Sequence, residues 1–233
     1  SHLPHLVLLS VTGIVLFNWV LYIGLSQTPG ALAGLIFGLT PVVTLLLACL
    51  AEGRRPQRAE AMGGAIAFAG VALVLTQPQT WTTGLTAVGA LTILSAGAIW
   101  AVYTLALKRF AIPLTPLALL ATTIWLAVLI MLPMALLAGS NLMPPAQAEV
   151  WAAIGYLGLG ASLLAFFAWQ AGVHRVGPAR AGVFLQLIPI FSILLAAVFL
   201  DETLTAAKGA GMACVIAGVA LSQSPARRAA RSA

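Results

Sequence analysis

Charge is what this chain has least of. Asp, Glu, Lys and Arg together make up 7% of its 233 residues, against about a quarter in soluble domains. That is too little to cover a water-facing surface, so a soluble globular domain is excluded. Histidine and cysteine are scarce as well, at three and two residues. Cys49 and Cys214 both lie inside apolar runs with no ligand spacing around them, so neither a disulfide nor a metal site is expected. His2, His5 and His174 have no acid, serine or thiol partner in the sequence, which leaves an intramembrane enzyme without a catalytic constellation. The chain is therefore read as a non-enzyme with no cofactor. No charged leader with a cleavage site precedes the first apolar run, and no signal peptide is expected. The net charge of +6 does not point to nucleic acid either, because the basic residues sit in short groups between apolar runs.

What is abundant is apolar length. Hydrophobic residues make up 61% of the chain, and a membrane-crossing helix needs about 20 of them in a row. Eight such runs are expected, at about 6–25, 31–51, 61–77, 84–107, 115–138, 150–173, 181–200 and 208–223. The fold class is an all-α polytopic membrane protein whose first partner is the lipid bilayer. Arg54, Arg55, Arg58, Lys108, Arg109, Arg175, Arg180 and the tail arginines Arg227, Arg228 and Arg231 all fall in even-numbered connections or after the last helix. The positive-inside rule places that side, and both ends of the chain, in the cytoplasm. Glu149, Asp201 and Glu202 then lie outside, and Trp81 and Trp151 are expected in the outer aromatic belt.

The chain also repeats itself. Shifted by 148 positions, Gly24 falls on Gly172, Gly34 on Gly182, Pro41 on Pro189, Gly63 on Gly211, and Ala69–Leu73 on Ala217–Leu221. The first three helices match the last three but enter the membrane from the opposite side, so the copies are inverted, as in many secondary transporters. Residues 1–77 are the last three helices of a first unit, 84–225 a complete five-helix second unit, and 226–233 a basic cytoplasmic tail. A complete first unit needs roughly 64 residues ahead of Ser1, making the expected whole a ten-helix protein of which eight helices are present.

These features resemble the EamA-like members of the drug/metabolite transporter superfamily. The motifs that carry the resemblance are Trp100-Ala101-x-Tyr103, the Ala-x-Ala-Gly…Pro runs at Ala31–Pro41 and Ala179–Pro189, the acid-containing turns at Glu52 and Asp201-Glu202-Thr203, and the closing Ala-Gly-Val-Ala-Leu. Glu52 follows Pro41 by 11 residues while Glu202 follows Pro189 by 13, so the acids are out of register. The resemblance implies inverted five-helix units and export of small metabolites, amino acids or drug-like compounds across the bacterial inner membrane. The other reading is a non-transporting or partner-dependent fragment of such a transporter.

Polar groups inside a span are costly and tend to face the bundle interior or a pathway. Asn18 and Tyr22, four apart with Trp19 beside them, and Gln170 within the stripe Ser162, Phe166, Gln170, His174 are candidate cavity-lining residues. Interhelical hydrogen bonding is the competing reading. Trp100 and Tyr103 are pathway candidates against an interfacial belt, and His174 reads as interfacial. Gln186, three residues before Pro189, is the foremost candidate for a substrate-contacting amide. Pro41 and Pro189 remove backbone hydrogen bonds and are hinge candidates, freeing carbonyls near Phe37 and Leu185, against a static packing kink. Gly34-x-x-x-Gly38, Gly63-x-x-x-Ala67 and Ala213-x-x-x-Ala217 read as close-packing faces within the chain, with a homodimer as the alternative use. With no charge inside the spans, the expected partner is a small neutral or zwitterionic substrate.

Overall fold

The computed structural model describes residues 2–77, 86–137, 143–176, 187–200 and 205–222, and every regular element among them is helical. Among the described residues, six helices are long and apolar enough to cross a membrane: α1 (Leu3–Leu25), α2 (Gly30–Ala51), α3 (Arg58–Leu75), α4 (Ala87–Phe110), α5 (Pro116–Leu137) and α6 (Ala148–Arg175). Two shorter apolar helices follow, α7 (Leu187–Phe199) and α8 (Ala206–Ser222). They coincide with the expected apolar runs. Gln186, Gly182, Trp81, Arg180, Leu185, Asp201, Glu202 and the 226–233 tail lie outside the described residues.

Local chemistry explains where the helices begin and end. The Thr86 and Thr115 hydroxyls accept the Gly89 and Ala118 N–H groups at 2.9 and 3.2 Å, and Thr205 does the same for Lys208 at 3.2 Å. Each satisfies one orphan donor of a first turn. Glu60 reaches back to the Gln57 N–H at 2.6 Å to open α3. At the end of α2, Gly53 takes φ +63°, and the Arg54 and Gly53 N–H groups close on the Cys49 and Leu50 carbonyls at 2.9 and 3.1 Å. That is a Schellman stop, which needs a residue tolerant of left-handed φ.

The chain divides into two compact units. The first holds residues 1–15 and 106–181, the second 16–105 and 182–233. In the first, the N-terminal part of α1 packs on α5, where buried Ser10 donates to the Thr123 carbonyl at 2.8 Å. His5 stacks on Phe110 with ring centroids 4.2 Å apart.

The second unit is centred on two antiparallel crossings. In α3 against α8, Gly63 meets Gly218 and Gly70 meets Gly211. The contacts are backbone to backbone: a β-carbon placed on Gly218 would lie 2.5 Å from both the Gly63 carbonyl oxygen and the Ala67 nitrogen. Around this crossing the buried residues Val71, Val74, Val215 and Val219 join Leu32, Leu35, Ile36, Leu39 and Val42 of α2 and Ile93 of α4 in one core. In α2 against α7, Gly34 lies on Ser192 and Gly38 on Pro189. The expected packing faces at Gly34/Gly38 and Gly63/Ala67 are therefore buried. The Ala213/Ala217 face is not: both residues are exposed. α8 instead turns Gly211, Val215, Gly218 and Ser222 inward, because only its glycines permit the backbone approach at Gly70 and Gly63.

The plain α-ladder is interrupted in three helices, in α2 just before the proline expected to bend it and in α1 and α6 with no signal in the sequence. α2 is broken, with helical segments Gly30–Phe37 and Thr40–Ala51 separated at Gly38-Leu39. α1 and α6 each contain a π-helical turn, at Val11–Leu16 and Tyr156–Leu164.

Candidate functional site

Among the described residues, the aromatic side chains of the second unit gather in one ring cluster. Phe17 on α1 and Trp100 on α4 stack with centroids 4.8 Å apart, Trp100 and Tyr103 lie at 5.1 Å, and Phe37, at the end of the first segment of α2, lies 6.0 Å from Phe17. All three pairs are tilted, which avoids the face-to-face sandwich that ring quadrupoles disfavour. Trp100 and Tyr103 are three apart on one helix and so share a face. Both are buried, at 7% and 2% exposure. Neither ring is therefore on the outer surface of the helix bundle.

Phe17 and Phe37 were not singled out from sequence. A phenylalanine in an apolar run carries no periodic signal, and what marks these two is a ring partner on another helix. The Trp100-Ala101-x-Tyr103 motif identified only half of the cluster.

The other α1 candidates diverge from this cluster. Asn18 is half-buried, whereas Trp19 and Tyr22 are 54% and 48% exposed and make no ring contact among the described residues. Helix geometry accounts for the split. α1 meets α4 through Phe17 and Gly24, the latter lying against Ile93. At about 100° per residue, Trp19 and Tyr22 are turned roughly 200° and 140° from Phe17. Asn18 and Tyr22 therefore do not share one environment, and Tyr22 does not match its repeat counterpart Gln170, which is buried at 3% exposure in the first unit. In the same stripe Phe166 is half-buried, while Ser162 and His174 are exposed. Gln186 lies outside the described residues.

Beneath the ring cluster is the break in α2. Pro41 sits in the first turn of the second segment, where its missing N–H interrupts no continuing ladder. The Phe37 carbonyl that Pro41 was expected to free accepts the Thr40 hydroxyl at 2.6 Å, and the Leu39 carbonyl takes the Val42 N–H at 2.9 Å and the Val43 N–H at 3.1 Å. The Phe37 carbonyl is thus engaged by the chain itself, as a buried backbone group in lipid must be. Gly97 of α4 faces the Thr40 hydroxyl closely, a β-carbon there falling 2.8 Å from it. Pro189 is buried against Gly38.

Electrostatics concentrate outside the spans. Arg54 forms ion pairs with Glu60 at 2.9 Å and Glu52 at 2.8 Å. These two hydrogen bonds, the one to Glu60 first, hold its pKa above the ordinary arginine value. The pairing locks the α2–α3 turn and leaves Arg55 and Arg58 exposed. No Asp, Glu, Lys or Arg lies between the first and last turns of any described helix, and no group of three metal-ligating side chains occurs among the described residues.

A model of the EamA-like transporter family matches residues 1–76 and 87–223. The chain is 30% identical over 227 residues to a probable terminal-alkyne amino-acid exporter of Streptantibioticus cattleyicolor, covering 94% of this chain and 72% of that protein. It is 28% identical over 226 residues to the aromatic amino acid exporter YddG of Ancylobacter novellus, covering 94% and 75%. To the uncharacterised transporter YyaM of Bacillus subtilis it is 27% identical over 192 residues, 81% of this chain and 63% of that protein. The chain thus spans roughly two-thirds to three-quarters of the length of these relatives. A crystal structure shares the fold, with TM-score 0.66 and 24% identity, covering 97% of this chain and 77% of its own.

Proposed function

The chain belongs to the EamA-like transporter family, and from that premise we propose that it exports a small amino-acid-like metabolite across a bacterial inner membrane. The observation that carries the reading is the buried Phe17–Trp100–Tyr103 stack. Packed aromatic faces suit an apolar or aromatic side chain. The lack of charge inside the described spans suits a substrate whose own charges cancel. Two relatives named as amino-acid exporters point the same way. We read the chain as two inverted copies working by alternating access. Support comes from the α3–α8 crossing, where Gly63 and Gly70 meet the repeat counterparts of each other rather than their own. That reciprocal exchange is what a pseudo-two-fold axis produces. The α2 break at Gly38-Leu39 is the hinge in this scheme, with Pro41 setting its far side.

The test is counterflow in proteoliposomes preloaded with unlabelled phenylalanine, tryptophan or leucine. Labelled amino acid is expected to accumulate at least several-fold over protein-free vesicles. Accumulation at the protein-free level for all neutral amino acids would sink this reading.

Orientation has its own check. In a Cys49→Ala, Cys214→Ala background, Arg55→Cys is expected to react with a membrane-impermeant thiol reagent in inside-out vesicles, and Gln27→Cys only in right-side-out ones. The reverse pattern would invert the topology.

A further inference from the structure

The break in α2 leaves a buried acceptor without a donor. In a continuing helix the Gly38 carbonyl would take the N–H three or four residues on. Pro41, three residues on, has no N–H. The Val42 N–H goes to the Leu39 carbonyl at 2.9 Å, and the Val43 N–H goes there too, at 3.1 Å. The Thr40 hydroxyl donates to Phe37 instead, at 2.6 Å. No hydrogen bond to the Gly38 carbonyl occurs among the described residues. The Leu35 carbonyl, one turn earlier, is bypassed in the same way. The Gly38 N–H goes to Gly34 at 2.9 Å and the Leu39 N–H to Ile36 at 3.0 Å.

Gly38 is enclosed by protein. It and Leu39 are buried, and a β-carbon on Gly38 would lie 3.2 Å from the side chains of both Pro189 on α7 and Val215 on α8. A buried carbonyl with no donor is uncommon and requires a reason. Irregular backbone at membrane depth occurs where it is buried or lines a cavity, and unwound carbonyls of broken transporter helices receive cations. Phe37, the residue before Gly38, carries a ring that lies 6.0 Å from Phe17 in the aromatic cluster. Acceptors for a positive donor and an aromatic surface therefore adjoin within one compact unit.

We infer that the Gly38 carbonyl, with that of Leu35 one turn before it, accepts the ammonium group of an amino-acid-like substrate whose side chain lies against the ring cluster. An ammonium group offers three N–H donors and no acceptor, the complement of carbonyls that lack donors. Thr40 keeps Phe37 out of this role by occupying its carbonyl. The inference rests on the amino-acid reading above and names the atoms that hold one end of the substrate.

Replacing Leu39 by its α-hydroxy acid tests the carbonyl directly, because the Gly38–Leu39 amide becomes an ester, a weaker acceptor. The readout is the rise in melting temperature in detergent on adding ligand. The ligand is phenylalanine, tryptophan or leucine, whichever gives the largest rise, set against its 2-hydroxy analogue, which lacks the ammonium. For the unaltered chain the half-maximal rise is expected at a concentration about tenfold or more lower for the amino acid, the worth of one hydrogen bond to a charged group. In the ester chain that ratio should fall to about threefold or less. Loss of the Leu39 N–H bears on both ligands alike, so the ratio reports the carbonyl. A ratio near one in the unaltered chain, a ratio unchanged by the ester, or no rise with any of the three amino acids overturns the proposal. If the ester chain does not fold, Pro41→Ala decides in its place, since it returns an N–H three residues beyond Gly38. The same fall in the ratio supports the proposal there, and an unchanged ratio overturns it. None of these melting measurements needs transport, so counterflow at the protein-free level with the ratio intact would sink the export reading and leave the ammonium site standing.

Discussion

A Gly218→Val chain is expected to melt roughly 6–12 °C below the unaltered protein in detergent. The valine β-carbon would fall 2.5 Å from the Gly63 carbonyl oxygen and from the Ala67 nitrogen. Both are backbone atoms that no rotamer change can remove, so α3 and α8 must separate along the whole crossing. Overpacking of this kind costs about 1–3 kcal/mol, and the rigidity of both neighbours places this site at the upper end. For a chain of this length, about 3 kcal/mol corresponds to the stated shift at 2–4 °C per kcal/mol. Within lipid the effect is harder to offset, since helices there associate through close packing and hydrogen bonds rather than through exclusion of water. Gly209→Val on the same helix is the control. That position is exposed with nothing near its β-carbon, so its melting point should move by no more than about 2 °C. If Gly218→Val melted with the control, the backbone contact would not be what holds α3 against α8.

The second large effect is at Trp100. Trp100→Ala should destabilise the protein by about 3–5 kcal/mol, as large-to-small replacement of a buried tryptophan generally does, and should abolish counterflow. That result alone would not separate substrate contact from packing. Trp100→Phe makes the separation, because it keeps a ring against Phe17 and Tyr103 while shortening it. It is expected to remain folded, melting within about 5 °C of the unaltered protein, and to transport about tenfold more slowly, a loss of about 1.4 kcal/mol at the rate-limiting step. A folded Trp100→Phe protein with unchanged transport would mean that the cluster is packing and that the substrate passes elsewhere.

Both expectations depend on contacts that no sequence spacing announces. Gly63 and Gly70 stand out as small residues in an apolar run, and their counterparts Gly211 and Gly218 follow from the repeat. Yet periodicity alone favoured Ala213/Ala217 as the packing face of the last helix, and those two are exposed. Small residues marked all the places where a close approach is allowed. Which one is used depends on the partner helix, and here backbone contact requires glycine on both sides. Trp100 and Tyr103 were legible from a motif. Phe17 and Phe37 were not, since phenylalanine is an ordinary member of an apolar span and only a neighbour on another helix distinguishes it.

Tyr22 shows the same limit from the opposite direction. Its four-residue spacing from Asn18 promised a shared face, but α1 presents Phe17 and Gly24 to its neighbour, and Tyr22 is turned away. Spacing within a helix determines which residues share a face, not which face is covered.

What the sequence by itself determined is the helical, membrane-crossing class, the placing of the spans and the internal repeat. These follow from local rules: lipid leaves a lone backbone segment no stable alternative to helix, and apolar run length sets where each helix can lie. The tertiary structure alone decided the rotation of each helix about its axis, and with it the composition of the ring cluster. Local departures from the α-ladder accompany it, a π-turn at Val11–Leu16 and a break at Gly38-Leu39. Such events change the ladder by one residue while leaving the hydropathy of the run almost untouched, and they are held in place by partners on other helices.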